Sequence, residues 1–282
     1  MNTSKQKIKK KIIDILLERN LVASTDIAKA LILEGRVKIE GAVADKQGLM
    51  VDSKSNIEII EKNPYVSRGG LKLEKAIEEF KLEVEGKNAI DIGASTGGFT
   101  DFLIKSGVKK VVAIDVGYGQ LSWNLRQSPE VIVLDRTNIR YLDVKKLPFL
   151  ADLTVVDVSF ISIKTIFSKI LDITEENGQI LLLVKPQFEV GKGEVEKGGV
   201  IKNKNLHLKV LTGIVKFIDS FDVKIVNLTF SKIKGARGNI EYWIYIRKIS
   251  IKSKINNKKT VLNYDKIITK VVEQSHNYFA VI

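Results

Sequence analysis

The chain is 282 residues long, contains no cysteine and only two histidines, and carries a formal net charge of +13. That length allows one large domain with a smaller companion, while the absence of thiols excludes disulfides, thiolate metal sites and a cysteine nucleophile. The basic excess favours a polyanionic partner, nucleic acid ahead of an acidic membrane, and it gathers toward the ends: residues 247–282 hold 8 basic against 2 acidic side chains.

His207 and His276 are too few for a histidine cluster, so no structural metal is expected. Met1 to Lys11 is basic but lacks the apolar core of a signal sequence, and no run approaches the roughly 18 apolar residues of a membrane helix. A cytoplasmic protein without membrane contact is expected.

Residues 7–33 show helical spacing twice, with Ile8, Ile12, Ile15 and Leu16 as one stripe, then Leu31 and Leu33 in a segment capped by Ser24 or Thr25. From Arg36 to Ile60 the pattern is short and strand-like, with turns at Glu40-Gly41 and Gln47-Gly48. Through Leu16, Arg19, Leu21-Val22, Ser24, Ala30-Leu31-Ile32, Gly35, Val37 and Gly41 this stretch resembles the small α+β S4-like RNA-binding fold. It departs from that fold at Thr25-Asp26, where arginine is usual, so RNA grip is assigned to Lys5 to Lys11, Arg19, Lys29, Arg36 and Lys38. The unit is placed at 1–62 and a linker at 63–70, because Pro64 forces its predecessor into an extended conformation.

Beyond the linker a helix is predicted over Leu71 to Phe80. Five apolar runs then end on Asp91, Asp115, Asp135, Asp157 and Lys185, with 24, 20, 22 and 28 residues between successive charges. That interval accommodates a strand, a turn, a helix and a return, so the runs read as a parallel βαβ array. Ligands of such sheets bind beyond the carboxyl ends of the strands, which places the charged residues at an active site. A charged, glycine-rich loop (191–199), a helix from Asn205 to Asp219 and two runs, Val223 to Phe230 and Ile240 to Ile246, complete the array, the last two as an antiparallel hairpin at the sheet edge. Residues 249–282 read as a basic extension with a helix over Asn263 to Gln274 and no readable role.

The segment Asp91-Ile92-Gly93-Ala94-Ser95-Thr96-Gly97-Gly98-Phe99-Thr100 lies where the first strand turns into a helix. Glycines permit positive φ and close ligand approach, and the helix start offers free N–H groups. Ser95 replaces the middle glycine of a dinucleotide fingerprint, which favours a cofactor without a pyrophosphate, S-adenosylmethionine, over a nicotinamide dinucleotide. Asp115 is positioned to accept ribose hydroxyls and Asp135 the adenine amino group, while Asp91 and Asp157 add negative charge near the sulfonium and amino group. Lys185 follows a strand buried on both faces and precedes Pro186, an environment expected to desolvate the amine and lower its pKa. Helix capping by each aspartate and simple snorkelling by Lys185 are the competing structural roles.

Seven motifs in order carry a second resemblance: Ser67-Arg68-Gly69-Gly70 with Lys72-Leu73, Asp91 to Thr100, Asp115 to Leu121, Asp135 to Asn138, Asp157 to Ser162, Lys185 to Glu189, and Gly235 with Gly238-Asn239 and Glu241. Together they resemble the hemolysin A (TlyA) family over residues 7–248. The resemblance implies a Rossmann-like, FtsJ-type methyltransferase domain, 71–248, joined to the S4-like unit. It implies S-adenosylmethionine as cofactor, a ribose 2′-hydroxyl of ribosomal RNA or of a ribosomal subunit as substrate, and a catalytic tetrad of Lys72, Asp157, Lys185 and Glu241. The cofactor residues expected from the loop and the strand ends are Asp91, Gly93, Ala94, Ser95, Gly97, Gly98, Phe99, Asp115 and Asp135. Without the resemblance, Glu241 reads as a surface residue of a strand edge. The competing functions are a non-catalytic RNA-binding assembly factor on the same fold, a membrane-lytic protein and a nicotinamide-dependent oxidoreductase.

Overall fold

A computed structural model describes residues 9–44, 46–60, 63–191, 193–195, 198–249 and 264–281. Two compact units divide between Pro64 and Tyr65.

In the N-terminal unit, β1 (Lys9–Lys11), α1 (Ile12–Glu18), α2 (Thr25–Leu33), β2 (Val37–Ile39), β3 (Ala42–Val43), β4 (Met50–Asp52) and β5 (Ile57–Ile59) follow in order. β2 lies between β3 and β5, and β1 pairs antiparallel with β4. Ile12, Ile15 and Leu16 pack with Ala28, Leu31, Ile32 and Val37 into the unit's own core. Helix α1 starts later than the apolar spacing predicts, because Lys9-Lys10-Lys11 has no face to bury and instead satisfies its backbone against Met50 to Asp52. Ser24 is the cap of α2, its Oγ accepting from Ile27 N at 3.3 Å. Leu33, expected on the buried stripe, is 72 % exposed.

The expected basic face is partly committed elsewhere. Arg19 donates to Ser53 O at 2.7 Å and Ser55 O at 2.9 Å, so it fastens the turn between β4 and β5. Arg36 donates to Ile60 O at 2.8 Å, and Lys10 pairs with Glu18 at 2.7 Å. Lys5 and Lys7 lie outside the described residues.

The second unit runs α3 (Arg68–Phe80), β6 (Asn88–Ile92), α4 (Gly98–Lys105), β7 (Lys110–Ile114), α5 (Trp123–Gln127), β8 (Val131–Leu134), β9 (Ala151–Val156), α6 (Phe167–Ile173), β10 (Thr174–Val184), α7 (Lys204–Asp219), β11 (Val223–Phe230), β12 (Tyr242–Lys248) and α8 (Tyr264–Val281). A seven-stranded sheet is ordered β11-β12-β10-β9-β6-β7-β8. β10, β9, β6, β7 and β8 pair in parallel, and β12 is antiparallel to both of its neighbours. The predicted hairpin is present, with β11 at the edge and β12 inserted beside β10.

Both faces of the sheet are covered. Along β10, Ile180, Leu182 and Val184 join one apolar cluster with α6, α7 and α8, while Leu181 and Leu183 join the other with α3 and α4. This two-sided burial is why the strand reads as a continuous apolar run rather than an alternating one.

Boundaries in this unit also differ from the sequence reading. β10 begins at Thr174, but its ladder breaks between Thr174 and Gln179, where Asn177 takes φ 64° and the polar Glu175-Glu176-Asn177 interrupts the apolar run. Helix α3 begins at Arg68, capped by Ser67 Oγ accepting from Gly69 N at 3.2 Å, so the expected linker residues 68–70 are helical. Helix α8 extends to Val281; segment 250–263 lies outside the described residues.

Candidate active site

Order in the sheet reverses around β6, whose chain neighbour β7 lies on one side and β9 on the other. A crevice opens at such a switch point beyond the strands' carboxyl ends. The pocket there is lined by Ser67, Arg68, Gly69 and Lys72 of the α3 start, by Gly93 to Thr96 with Gly98 and Phe99, by Asp157, and by Lys234, Gly235 and Ala236. Asp101 on α4 accepts from Val66 N at 2.8 Å, which fixes the entry to α3 beside the α4 start.

The turn after β6 has the shape the glycines anticipate. Gly93 has φ +84°, and a Cβ there would overlap the carbonyl of Asp157. Ser95 has φ 50°, its N–H donating to Asp115 Oδ2 at 2.8 Å. Asp115 Oδ1 accepts from Gly117 N at 2.7 Å, so backbone donors orient the whole carboxylate while each oxygen retains a lone pair. Short side chains, left-handed backbone and an oriented carboxylate form a cradle that fits a nucleoside cofactor lacking phosphates, and the residues that would hold S-adenosylmethionine are Gly93, Ala94, Ser95, Gly98, Phe99 and Asp115.

Two ion pairs complete the site. Lys72 Nζ donates to Glu241 Oε2 at 2.7 Å, with side chains 11 % and 2 % exposed. Burial pushes the Glu241 carboxyl above its usual range, and the nearby Lys72 ammonium opposes that push. Lys185 Nζ lies 2.6 Å from Asp157 Oδ1 as an ion pair outside hydrogen-bond angles, and it donates to Ser159 Oγ at 2.9 Å. The charges of Asp157 and Lys185 both act on Glu241, so the four side chains form one electrostatic cluster. Lys185 is held extended at φ −108°, ψ 100° ahead of Pro186, as the Lys-Pro dipeptide dictates.

Glu241 is 1 % exposed, not the surface residue of a strand edge. It immediately precedes β12, an interior strand, and Gly235 leaves room for it: a Cβ on Gly235 would overlap Glu241 Oε1.

Four of the expected cofactor residues stand apart from the pocket lining. Asp115, Asp135 and Asp157 lie one residue past their strands, whereas Asp91 is inside β6. Asp91 is therefore fully buried, and its Oδ2 accepts from Thr100 Oγ1 at 2.7 Å. Desolvation pushes its pKa up to about 7, with Asp157 and Asp115 adding to the rise and Thr100 opposing it. Asp135 Oδ2 is held by Arg126, which lowers the carboxyl's pKa, and also accepts from Gly119 N at 3.2 Å. Gly97 is the N-cap of α4 at φ 97°, and a Cβ there would meet Leu121 and Leu125. Asp115 borders the pocket through Ser95.

The sequence reading assigned no role to Ser159, Lys234 or Glu189. Glu189 accepts from Ser162 Oγ at 2.6 Å and Ile163 N at 2.8 Å, tying the segment after Asp157 to the segment after Lys185. Phe160 is 89 % exposed at φ 64°, its ring centroid 4.9 Å from that of Phe188. The available signal for Ser159 and Glu189 was their position two and four residues beyond Asp157 and Lys185.

Residues 65–248 match the FtsJ-like methyltransferase family model. The chain belongs to this family, in its hemolysin A (TlyA) branch. It is 39 % identical to the 16S/23S rRNA (cytidine-2'-O)-methyltransferase TlyA of Mycobacterium tuberculosis, over 82 % of this chain and 87 % of that one. It is 43 % identical to Hemolysin A of Brachyspira hyodysenteriae, over 76 % of this chain and 90 % of the relative. The solved structure of a hemolysin-named protein from Streptococcus thermophilus superposes with a TM-score of 0.73 at 36 % identity, covering 98 % of both chains. The protein is thus an S-adenosylmethionine-dependent methyltransferase. Among the described residues no helix is long and apolar enough to cross a membrane.

Proposed function

We propose that this methyltransferase modifies a ribose 2′-hydroxyl of ribosomal RNA, with Lys72, Asp157, Lys185 and Glu241 as the catalytic groups. The observation that carries the reading is the meeting of two lysine–carboxylate pairs at one pocket, with Lys72 and Asp157 on its wall. A neutral alcohol is a poor nucleophile and must be oriented and relieved of its proton as it is methylated. S-adenosylmethionine supplies the methyl group as an electrophile.

Asp157 and Ser159 occupy two directions around Lys185 Nζ, leaving a third N–H to hold the hydroxyl oxygen in line. Proximity of that kind accounts for a large share of rate acceleration. As the proton is lost to water, the ammonium of Lys185 stabilises charge on the oxygen, and Lys72, held by Glu241, adds a second cation. Phe160 presents an exposed ring on the same loop as Ser159, a face on which a nucleobase stacks.

The N-terminal unit, read as S4-like, grips the RNA, with Lys29 and Lys38 among its basic groups, and the protein acts where ribosomes are found, in the cytoplasm. Transfer of tritium from methyl-labelled cofactor to ribosomal RNA tests the proposal. Wild-type protein is expected to label a ribose and Lys185→Ala to label none while still binding cofactor. Label on a base, or equal labelling by the variant, would overturn it.

A further inference from the structure

The family match ends at residue 248, but the second unit continues into α8, which reaches back to the site. Its inner face is anchored by a buried chain of polar groups. Tyr242 OH lies 3.0 Å from Ser275 Oγ and 2.6 Å from His207 Nδ1, and His207 Nε2 lies 3.0 Å from Ile201 O. Tyr242 is the chain neighbour of Glu241, so α8 is fixed against the strand that follows a catalytic carboxylate. One turn beyond Ser275, Phe279 packs against Phe230 and Tyr278, with ring centroids at 6.1 Å and 5.0 Å.

Lys234 connects this helix to the pocket. It lies in the pocket wall beside Gly235 and Ala236, and its carbonyl accepts from Arg68 Nη2 at 2.7 Å. Its ammonium sits 4.8 Å from the centroid of the Phe279 ring. The other lysines of the site, Lys72 and Lys185, are each neutralised by a carboxylate. Lys234 is held by an aromatic face, which localises a cation without cancelling its charge.

We infer that α8 sets the charge experienced by the cofactor: Phe279 draws the Lys234 ammonium onto its ring face and thereby favours the positively charged sulfonium donor relative to its neutral thioether product. The inference rests on the pocket being the cofactor's. A lysine released from the ring would add positive charge beside a sulfonium, whereas a thioether would be almost indifferent to it. A purely structural role for α8 would weaken both compounds alike.

The test is calorimetric binding of S-adenosylmethionine and S-adenosylhomocysteine to the full chain and to Phe279→Leu, which keeps apolar volume but removes the ring face. Affinity for the donor relative to the product is expected to fall about threefold in Phe279→Leu. It is expected to stay at the wild-type ratio in Phe279→Tyr and to return to the ratio of Lys234→Met when that substitution is added to Phe279→Leu. Thermal midpoints of all variants serve as the control for folding. An unchanged ratio in a folded Phe279→Leu protein, or a shift that persists without Lys234, overturns the inference. Failure of the wild-type chain to bind either compound overturns both the inference and the pocket assignment, and that outcome is distinguishable because no wild-type ratio then exists.

Discussion

Lys72 Nζ meets Glu241 Oε2 at 2.7 Å across 169 residues of sequence, joining the first helix of the methyltransferase unit to the residue before an interior strand. The pair is buried, so removing one partner strands the other. Glu241→Ala is expected to destabilise the protein by about 3 kcal/mol and to reduce turnover by about two orders of magnitude. Replacing both residues with methionine should recover much of the stability and none of the activity. Urea unfolding and single-turnover methylation on the same preparations separate the two effects; a double variant that methylates normally removes the pair from the mechanism.

Gly235 is sterically required by Glu241. With no φ constraint of its own, it is expected to tolerate alanine in backbone terms, yet the added Cβ would overlap the Glu241 carboxylate. Gly235→Ala should lower turnover at least about tenfold by displacing that side chain, since small misplacements of catalytic groups carry large rate effects. Gly48, whose Cβ would meet nothing within 4 Å, is the control. Equal activity of the two alanine variants would show that Glu241 adjusts freely.

Asp91 makes the stability of the second unit pH-dependent in an unusual direction. Burial raises its pKa from 3.8 to about 7, so between those values the folded chain holds a proton that the unfolded chain has released. Its contribution to stability is full below the unfolded value and is lost as pH rises through the folded value. Asp91→Asn keeps an acceptor for Thr100 and removes the titration. The thermal midpoint of the variant minus that of wild type is expected to increase between about pH 4 and about pH 7; a constant difference would refute the assignment.

His207 behaves oppositely. Its imidazole is pushed down from 6.5 to about 4 by burial, with His276 contributing and the bond to Ile201 O opposing. The unfolded chain binds the proton first, so stability is fully present above 6.5 and lost as pH falls toward 4. His207→Gln should flatten the acid limb of a midpoint-versus-pH curve measured on the full chain. An acid limb of undiminished slope would place the titration elsewhere.

Much of this architecture was legible in the residues themselves. The parallel sheet followed from five apolar runs closing on charges at βα intervals, because hydrophobic continuity and spacing are local properties of the chain. The glycines after β6 and the Lys185-Pro186 dipeptide also carry their backbone geometry with them. What a linear pattern cannot contain is which side of a strand end a carboxylate falls on. Asp91 looked equivalent to Asp115, Asp135 and Asp157, but standing two residues earlier relative to its strand end it lies within the ladder and is buried, and only the folded packing shows that it accepts from Thr100. The Lys72–Glu241 pair, the Ser159 contact to Lys185 and the return of Phe279 to Lys234 likewise exist only once distant segments are packed together. Sequence determined the elements and the chemical types available; tertiary structure decided which charges were desolvated and paired, because those energies depend on neighbours brought together by folding.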